Sequence, residues 1–405
     1  MENLREKALL VHQQARGKLS VEVKVSVADA HDLSVIYSPG VAEPCKEIYI
    51  NQDEIYTYTA KGNFVAVVSN GTAVLGLGNI GARAALPVME GKAALFKAFA
   101  GIDAVPLCLD TEDPEQIIQA VKLLEPAFGG INLEDIAAPA CFVIEERLRQ
   151  EMAIPVFHDD QHGTAIVVAA GLTNALKVVG KQLAGCRVVI NGAGAAGVAI
   201  AKLLLSMGVG ELIVCDTKGA IYEGRPHGMN AMKEEIARQT NRRRISGPLE
   251  EVIQGADVFI GVSVAGALTP MMVRMMNRGA IVFALANPVP EIMPDEAKAA
   301  GAAVVATGRS DLPNQVNNVL AFPGVFRGAL DVRATQINEA MKIAAAEAIA
   351  GLIQPEELTE EYVIPNPFDR RVVEAVASAV ARAAMETGVA RIKEKDEEQD
   401  RVREG

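Results

Sequence analysis

The chain has 405 residues, half of them apolar and 22% charged, which is enough for two or three domains with ordinary cores. A formal net charge of −12 argues against nucleic acid as a partner, because phosphates call for clusters of Lys and Arg. The run Arg242, Arg243, Arg244 is short and reads as a solvated loop.

In chain order, residues 1–20 suggest an amphipathic helix with Leu4, Ala8, Val11 and Ala15 on one face. This charged start has no apolar core and does not read as a signal peptide. Strand-like runs follow at 64–69 and 102–110, with a Gly-rich stretch and a helical one between them. Residues 113–128 have helix spacing, with Asp113 as the N-cap and Pro114 at the first helical position. Two further strands, 131–137 and 154–160, both end in acids and flank a helix at 139–151. A helix is expected over 163–180. Strands at 186–190, 211–216, 256–263, 280–287 and 303–308 then alternate with helices, the rhythm of a doubly wound fold. Ala-rich helices run from 331 to about 390, followed by a frayed charged tail.

The expected fold class is therefore α/β. An α/β substrate and metal unit spans 1–160, a Rossmann-type NAD(P)-binding unit with C-terminal helices spans 161–390, and the tail spans 391–405. No apolar run is long enough to span a bilayer. Cys45, Cys108, Cys141, Cys186 and Cys215 are scattered and lack the spacing of a metal clip, so they read as small buried hydrophobes in a reducing compartment. A cytoplasmic protein with no membrane partner is expected.

Two stretches fit the dinucleotide fingerprint G-x-G-x-x-G: 76-GLGNIG-81 and 192-GAGAAG-197. Context favours the second, which follows an apolar strand directly and precedes an unbroken helix. Asp216 ends the next strand at about the distance expected of the acid that bonds the adenosine ribose. Gly192 makes the turn, Gly194 admits the pyrophosphate and Gly197 lets helix and strand approach. Ala193, Ala195 and Ala196 complete the loop whose backbone N–H groups face the phosphates. In the first stretch Pro87 would remove a helix hydrogen bond unless the helix starts there. Gly76, Gly78 and Gly81 read as sites of close backbone packing.

The acid pairs Glu134-Asp135 and Asp159-Asp160 sit where ligands bind in an open α/β sheet. Such carboxylates either cap helices or converge on a hard divalent cation, Mg²⁺ or Mn²⁺. His158 and His162, beside the second pair, read as hydrogen-bonded supports. Lys92 lies among small and apolar residues, where burial lowers a lysine pKa toward that of a base. Tyr37 lies in a Pro-Gly turn. Chemistry alone singles out neither.

Together, YSPGV (37–41), residues 76–103, NLEDI (132–136), FHDDQHGTA (157–165), NGAGAAG (191–197), ANPVPE (286–291), NQVNNVLAFPG (314–324) and IPNPFDRRV (364–372) resemble the malic enzymes, in their compact bacterial and archaeal form. The resemblance runs through nearly the whole chain in order. It implies metal-dependent oxidative decarboxylation of L-malate to pyruvate and CO₂ with reduction of NAD or NADP. It also implies Lys92 as general base with Asp159 paired to it, Tyr37 as general acid, and Glu134, Asp135 and Asp160 as metal ligands. Asn287 and Asn318 would hold the substrate and the nicotinamide end, with Asn317 beside them.

The larger members carry an Arg before the first G-L-G, where this chain has Ala73 and Val74; Arg83 is a conceivable replacement. Asp216 favours NAD by repelling a 2′-phosphate, an effect Lys218 could offset. A homodimer is expected, with Tyr37 a candidate to reach the partner's site. The alternatives are a metal-dependent oxaloacetate decarboxylase, a dehydrogenase of another 2-hydroxy acid, or a non-catalytic nicotinamide-binding protein.

Overall fold

A computed structural model describes residues 4–392 of the chain. Residues 1–3 of the expected first helix, and the tail from 393 onward, lie outside the described residues.

Two parallel sheets organise the molecule. The first contains β1 (Phe64–Ser69), β2 (Asp103–Cys108), β3 (Gly130–Leu133) and β4 (Val156–His158), in the order β2-β1-β3-β4. The second contains β5 (Arg187–Asn191), β6 (Glu211–Asp216), β7 (Gly219–Ala220), β8 (Val258–Gly261), β9 (Ala280–Ala284) and β10 (Ala302–Thr307). Its order is β10-β9-β8-β5-β6-β7, and only β7 runs antiparallel. Every position of β8 and β9 is buried, as expected of strands covered by helices on both faces. The strand order reverses between β5 and β8, and a doubly wound sheet opens its ligand crevice at such a point.

Two helices differ from the sequence reading in ways that matter for the site. Pro87 does not start its helix; it lies inside Gly81–Ala100, which therefore runs unbroken past Lys92. The helix expected from Gly163 begins four residues earlier, as Asp159–Val179, directly where β4 ends. Asp159 and Asp160 are therefore its first turn, where the partial positive charge of the helix end favours carboxylates. By length and composition this helix could cross a membrane, but it is the central buried helix of the fold and opens on two acids.

Phe96, Phe157, Phe322 and Phe326 interlock edge to face, with ring centroids 4.7–5.7 Å apart for the Phe96–Phe322, Phe96–Phe326 and Phe157–Phe326 pairs. They tie the C-terminal helix Phe322–Asp331 back onto the first sheet. The N-terminal helices Leu4–Ala15, Ala30–Ile36 and Ala42–Ile50 bury no residue, so the apolar face expected on the first of them is uncovered in a single chain. No cysteine is in a disulfide; Cys141, Cys186 and Cys215 are buried, but Cys45 is exposed, contrary to its reading as a core residue.

Candidate active site

Lys92 reaches from the middle of its helix to the ends of two strands. Its Nζ lies 2.9 Å from Glu134 Oε1, just after β3, and 2.6 Å from Asp159 Oδ2, just after β4. The ammonium also stands over the Phe322 ring, 4.1 Å from its centroid. Burial alone pulls the lysine pKa down, as the sequence suggested. Asp159 and Glu134 outweigh it, and the resting ammonium is held well above an ordinary lysine. Asn318 Nδ2 donates to Asp159 Oδ2 at 3.0 Å and to Thr164 Oγ1 at 3.2 Å, so the expected substrate-side Asn is wired to the Lys92 partner.

Glu134, Asp135 and Asp160 each offer a carboxylate oxygen, all within 4.8 Å of one another. Asp135 holds a left-handed backbone, φ 54°, that turns it beside its neighbour, and its N–H donates to Asp160 Oδ2 at 2.8 Å. Asn132 Nδ2 donates to Glu134 Oε2 at 2.8 Å and steadies that carboxylate. Burial raises the Glu134 pKa well above the usual range; Lys92 opposes the rise, and Asp160, Asp159 and Asp135 add to it. Oxygen ligands crowded this closely and repelling one another fit a hard divalent cation, which would relieve that repulsion.

Both histidines are supports at most. His162 Nε2 lies 2.7 Å from Glu145 Oε1, whereas neither ring nitrogen of the fully buried His158 finds a hydrogen-bond partner.

At the second loop, Gly192 has φ 128°, and a Cβ there would stand 2.4 Å from Val262 O. A Cβ on Gly197 would lie 1.8 Å from Gly192 O, while one on Gly194 would meet nothing within 4 Å, so that face is free for a ligand. The helix Ala195–Ser206 begins on the loop, with Ala193 before it and Ala195 and Ala196 in its first turn. The first loop is different: Gly78 and Gly81 have φ of 74° and 78° and no neighbour, so conformation rather than close packing requires them. Gly76 does pack, since a Cβ there would be 3.1 Å from Asn287 O, which brings GLGNIG against the cofactor half.

Asp216 departs most from its sequence reading. Arg225 grips it with two hydrogen bonds of 2.8 and 2.6 Å, and Lys233 Nζ adds a third at 2.6 Å. Burial would raise its pKa, but these cations hold it far below the usual carboxylate range. A carboxylate so compensated is a poor repellent of phosphate, and the offsetting charges are Arg225 and Lys233 rather than the side chain of Lys218.

Sequence reasoning also missed Glu291. It is fully buried and accepts from Ser263 N at 2.9 Å and Ala286 N at 3.0 Å. It thereby joins the loops that leave β8 and β9, just before Asn287 and its cis peptide bond to Pro288. Arg83 is exposed, nine positions before Lys92 and hence on the opposite face of the same helix, which removes it as a carboxylate clamp beside Lys92 in one chain. Tyr37 is 67% exposed.

The family models for the malic enzyme N-terminal domain and the malic enzyme NAD-binding domain match residues 16–149 and 161–385. The chain belongs to the malic enzyme family. A bifunctional malic/malolactic enzyme of Bacillus subtilis is 67% identical over 96% of this chain and 95% of its own length. An NADP-dependent malic enzyme of Rhizobium meliloti is 54% identical over 95% of this chain, which spans 53% of that longer relative. The crystal structure of a malic enzyme from Pyrococcus horikoshii superposes with a TM-score of 0.94 at 51% identity, covering 99% of this chain and 95% of the other. As a malic enzyme, the chain is an NAD- or NADP-dependent decarboxylating malate dehydrogenase.

Proposed function

We propose that the Lys92 cluster oxidises L-malate at C2 and releases its C4 carboxylate as CO₂. The observation that carries this reading is Lys92 between Glu134 and Asp159, beside three carboxylates close enough to share a cation. Lys92 takes the C2 hydroxyl proton as the C2 hydride passes to the nicotinamide. It must first lose its own proton, and drawing the Glu134 charge into a ligand shell loosens one of the two holds on it. Mg²⁺ or Mn²⁺ held by Glu134, Asp135 and Asp160 would supply the Lewis acidity that lets the C4 carboxylate leave. Asp159 keeps Lys92 in place, Asn318 fixes Asp159, and Asn287 and Asn318 face the substrate and nicotinamide. Tyr37 returns a proton to C3. The chain divides in function near residue 160, with acids and base before it and the dinucleotide loop after it.

Tyr37 supports a shared site in a homodimer. It is exposed on a segment that buries nothing, and Val21, Val23, Val25 and Val27 alternate along an uncovered stretch beside it. A second copy would cover this surface and take Tyr37 into its own site.

The test is NAD(P)H absorbance with L-malate and Mn²⁺, with and without a chelator. Metal-dependent reduction with an equal yield of pyruvate is expected. Pyruvate from oxaloacetate but none from malate would leave only the decarboxylase reading. The Bacillus subtilis relative motivates a second reading, in which the hydride returns to C2 of pyruvate and lactate leaves with CO₂. Lactate formed without net cofactor reduction would identify it.

A further inference from the structure

One buried carboxylate of the cofactor half takes no part in the chemistry described above. Glu291 is 0% exposed. Its Oε1 accepts from Ser263 N at 2.9 Å and from Ser263 Oγ at 3.2 Å, and its Oε2 accepts from Ala286 N at 3.0 Å. Among the described residues it makes no ion pair. Burying a carboxylate without a cation is costly, and it is tolerated where several donors converge on it.

The strand leaves room for this group. Gly261 ends β8, and a Cβ there would lie 2.4 Å from Glu291 Cδ and 2.5 Å from Glu291 Oε1. The backbone of Glu291 is anchored farther along the loop that leaves β8, where Leu268 N donates to Glu291 O at 3.2 Å. The side chain is thus fixed from behind and reaches two loops at once.

Both loops lead to the dinucleotide. Ser263 Oγ accepts from Asn191 Nδ2 at 2.9 Å, and Asn191 ends β5 directly before Gly192. Val262, next to Ser263, is the wall on which the phosphate loop rests, since a Cβ at Gly192 would stand 2.4 Å from Val262 O. On the other side, Ala286 directly precedes Asn287. One carboxylate therefore ties together the ends of β5, β8 and β9. The strand order reverses within this group, where a doubly wound sheet opens its crevice.

We propose that Glu291 is a positioning residue for the dinucleotide, holding the phosphate loop and Asn287 at one fixed separation. It acts through Ser263 on the phosphate end and through Ala286 on the nicotinamide end, and so rests on the reading of Asn287 as a contact of the nicotinamide. Water can satisfy either N–H singly, but only one rigid acceptor fixes the two loops relative to each other. In Glu291→Gln one oxygen becomes an amide donor. It then opposes the N–H of Ser263 or of Ala286, and a buried donor is left without a partner. Neither Asp216 nor the acids around Lys92 belong to this set of bonds, so cofactor preference and metal requirement are separate from it.

Calorimetric titration of the intact enzyme with NADH and with NADPH, in the absence of malate, tests the assignment. Glu291→Gln should weaken both by about tenfold and leave their ratio unchanged. Ser263→Ala keeps the backbone N–H and removes only the hydroxyl link to Asn191, so it should weaken both by about threefold. In initial-rate assays with L-malate, the KM for the dinucleotide should rise in both variants, while the Mn²⁺ concentration that gives half-maximal rate stays as in wild type. Folded Glu291→Gln protein that binds both dinucleotides as tightly as wild type, or whose Mn²⁺ requirement rises as much as its dinucleotide KM, overturns the proposal. Should Glu291→Gln fail to fold, wild-type affinity in Ser263→Ala overturns it equally. The titration contains no malate, so failure of the proposed reaction is read separately from failure of this assignment.

Discussion

Gly163 stands one turn beyond Asp159 in the same helix, and its missing side chain is occupied by the Asp159 carboxylate. A Cβ at Gly163 would lie 1.9 Å from Asp159 Oδ1, where ordinary contact begins at 3.4 Å. In Gly163→Ala the carboxylate must therefore retreat by about 1.5 Å, the difference between those two distances. Asp159 is fully buried and already 2.6 Å from Lys92, so the retreat is taken from the Lys92 and Asn318 contacts. Alanine itself favours a helix over glycine by roughly 0.5–1 kcal/mol. Against this, a misplacement of about 1 Å in a catalytic group costs on the order of 10²-fold in rate, or about 2.7 kcal/mol of barrier. The expected outcome is a folded protein whose kcat falls about a hundredfold, with the KM for the dinucleotide unchanged. Initial rates of NAD(P)H formation and a thermal melt measure both. Gly91→Ala is the control: it lies beside Lys92 in its own helix, and a Cβ there would meet nothing within 4 Å. A Gly163→Ala variant with kcat within about threefold of wild type would refute the idea that Asp159 must stay where it is.

Glu134→Gln and Asp160→Asn should each raise the Mn²⁺ requirement by roughly 10–100-fold, read from rate against metal concentration, because each removes one charged ligand from the shared cluster. Lys233→Ala should lower kcat/KM for NADP relative to NAD by about tenfold, since it strips one of the two cations beside Asp216; an unchanged ratio would place the 2′-phosphate elsewhere. Mixing Tyr37→Phe and Lys92→Ala proteins should restore part of the activity if Tyr37 serves the partner's site, and none if it serves its own. Burial opposes ionisation of Glu145, yet the charge and hydrogen bond of His162, with the charges of His158 and Arg149, hold its pKa down at about 2. Its contribution is thus present above the unfolded value of 4.5 and lost as pH falls toward 2. The urea midpoint of Glu145→Gln should therefore fall less steeply than that of wild type between about pH 5 and about pH 3.5.

Much of the site could be read in the sequence because its parts are local. Strand-end acids, a glycine loop between strand and helix, and a lysine among small residues all carry their signal within a few positions. What escaped depends on long-range approach. The hold of Asn318 on Asp159 spans 159 positions of chain, and no period or motif encodes it. The ring of Phe322 under Lys92 looks like ordinary core until the C-terminal helix folds back. Asp216 was legible as a strand-end acid, but its neutralisation by Arg225 and Lys233 depends on how the following loop curls. The early start of the Asp159–Val179 helix was hidden because its first four residues, DDQH, are polar and fall outside the apolar period that marks the rest.

That helix has a consequence for how the enzyme fails. Fourteen of its residues are buried, from Asp159 to Leu176, and it packs against elements of both halves of the chain. Its amides should therefore exchange with solvent only when the whole molecule opens, while loops exchange through local fluctuations. The acids at its tip share that fate. On heating, loss of metal-dependent turnover should coincide with global unfolding, with no earlier loosening of the acid cluster alone.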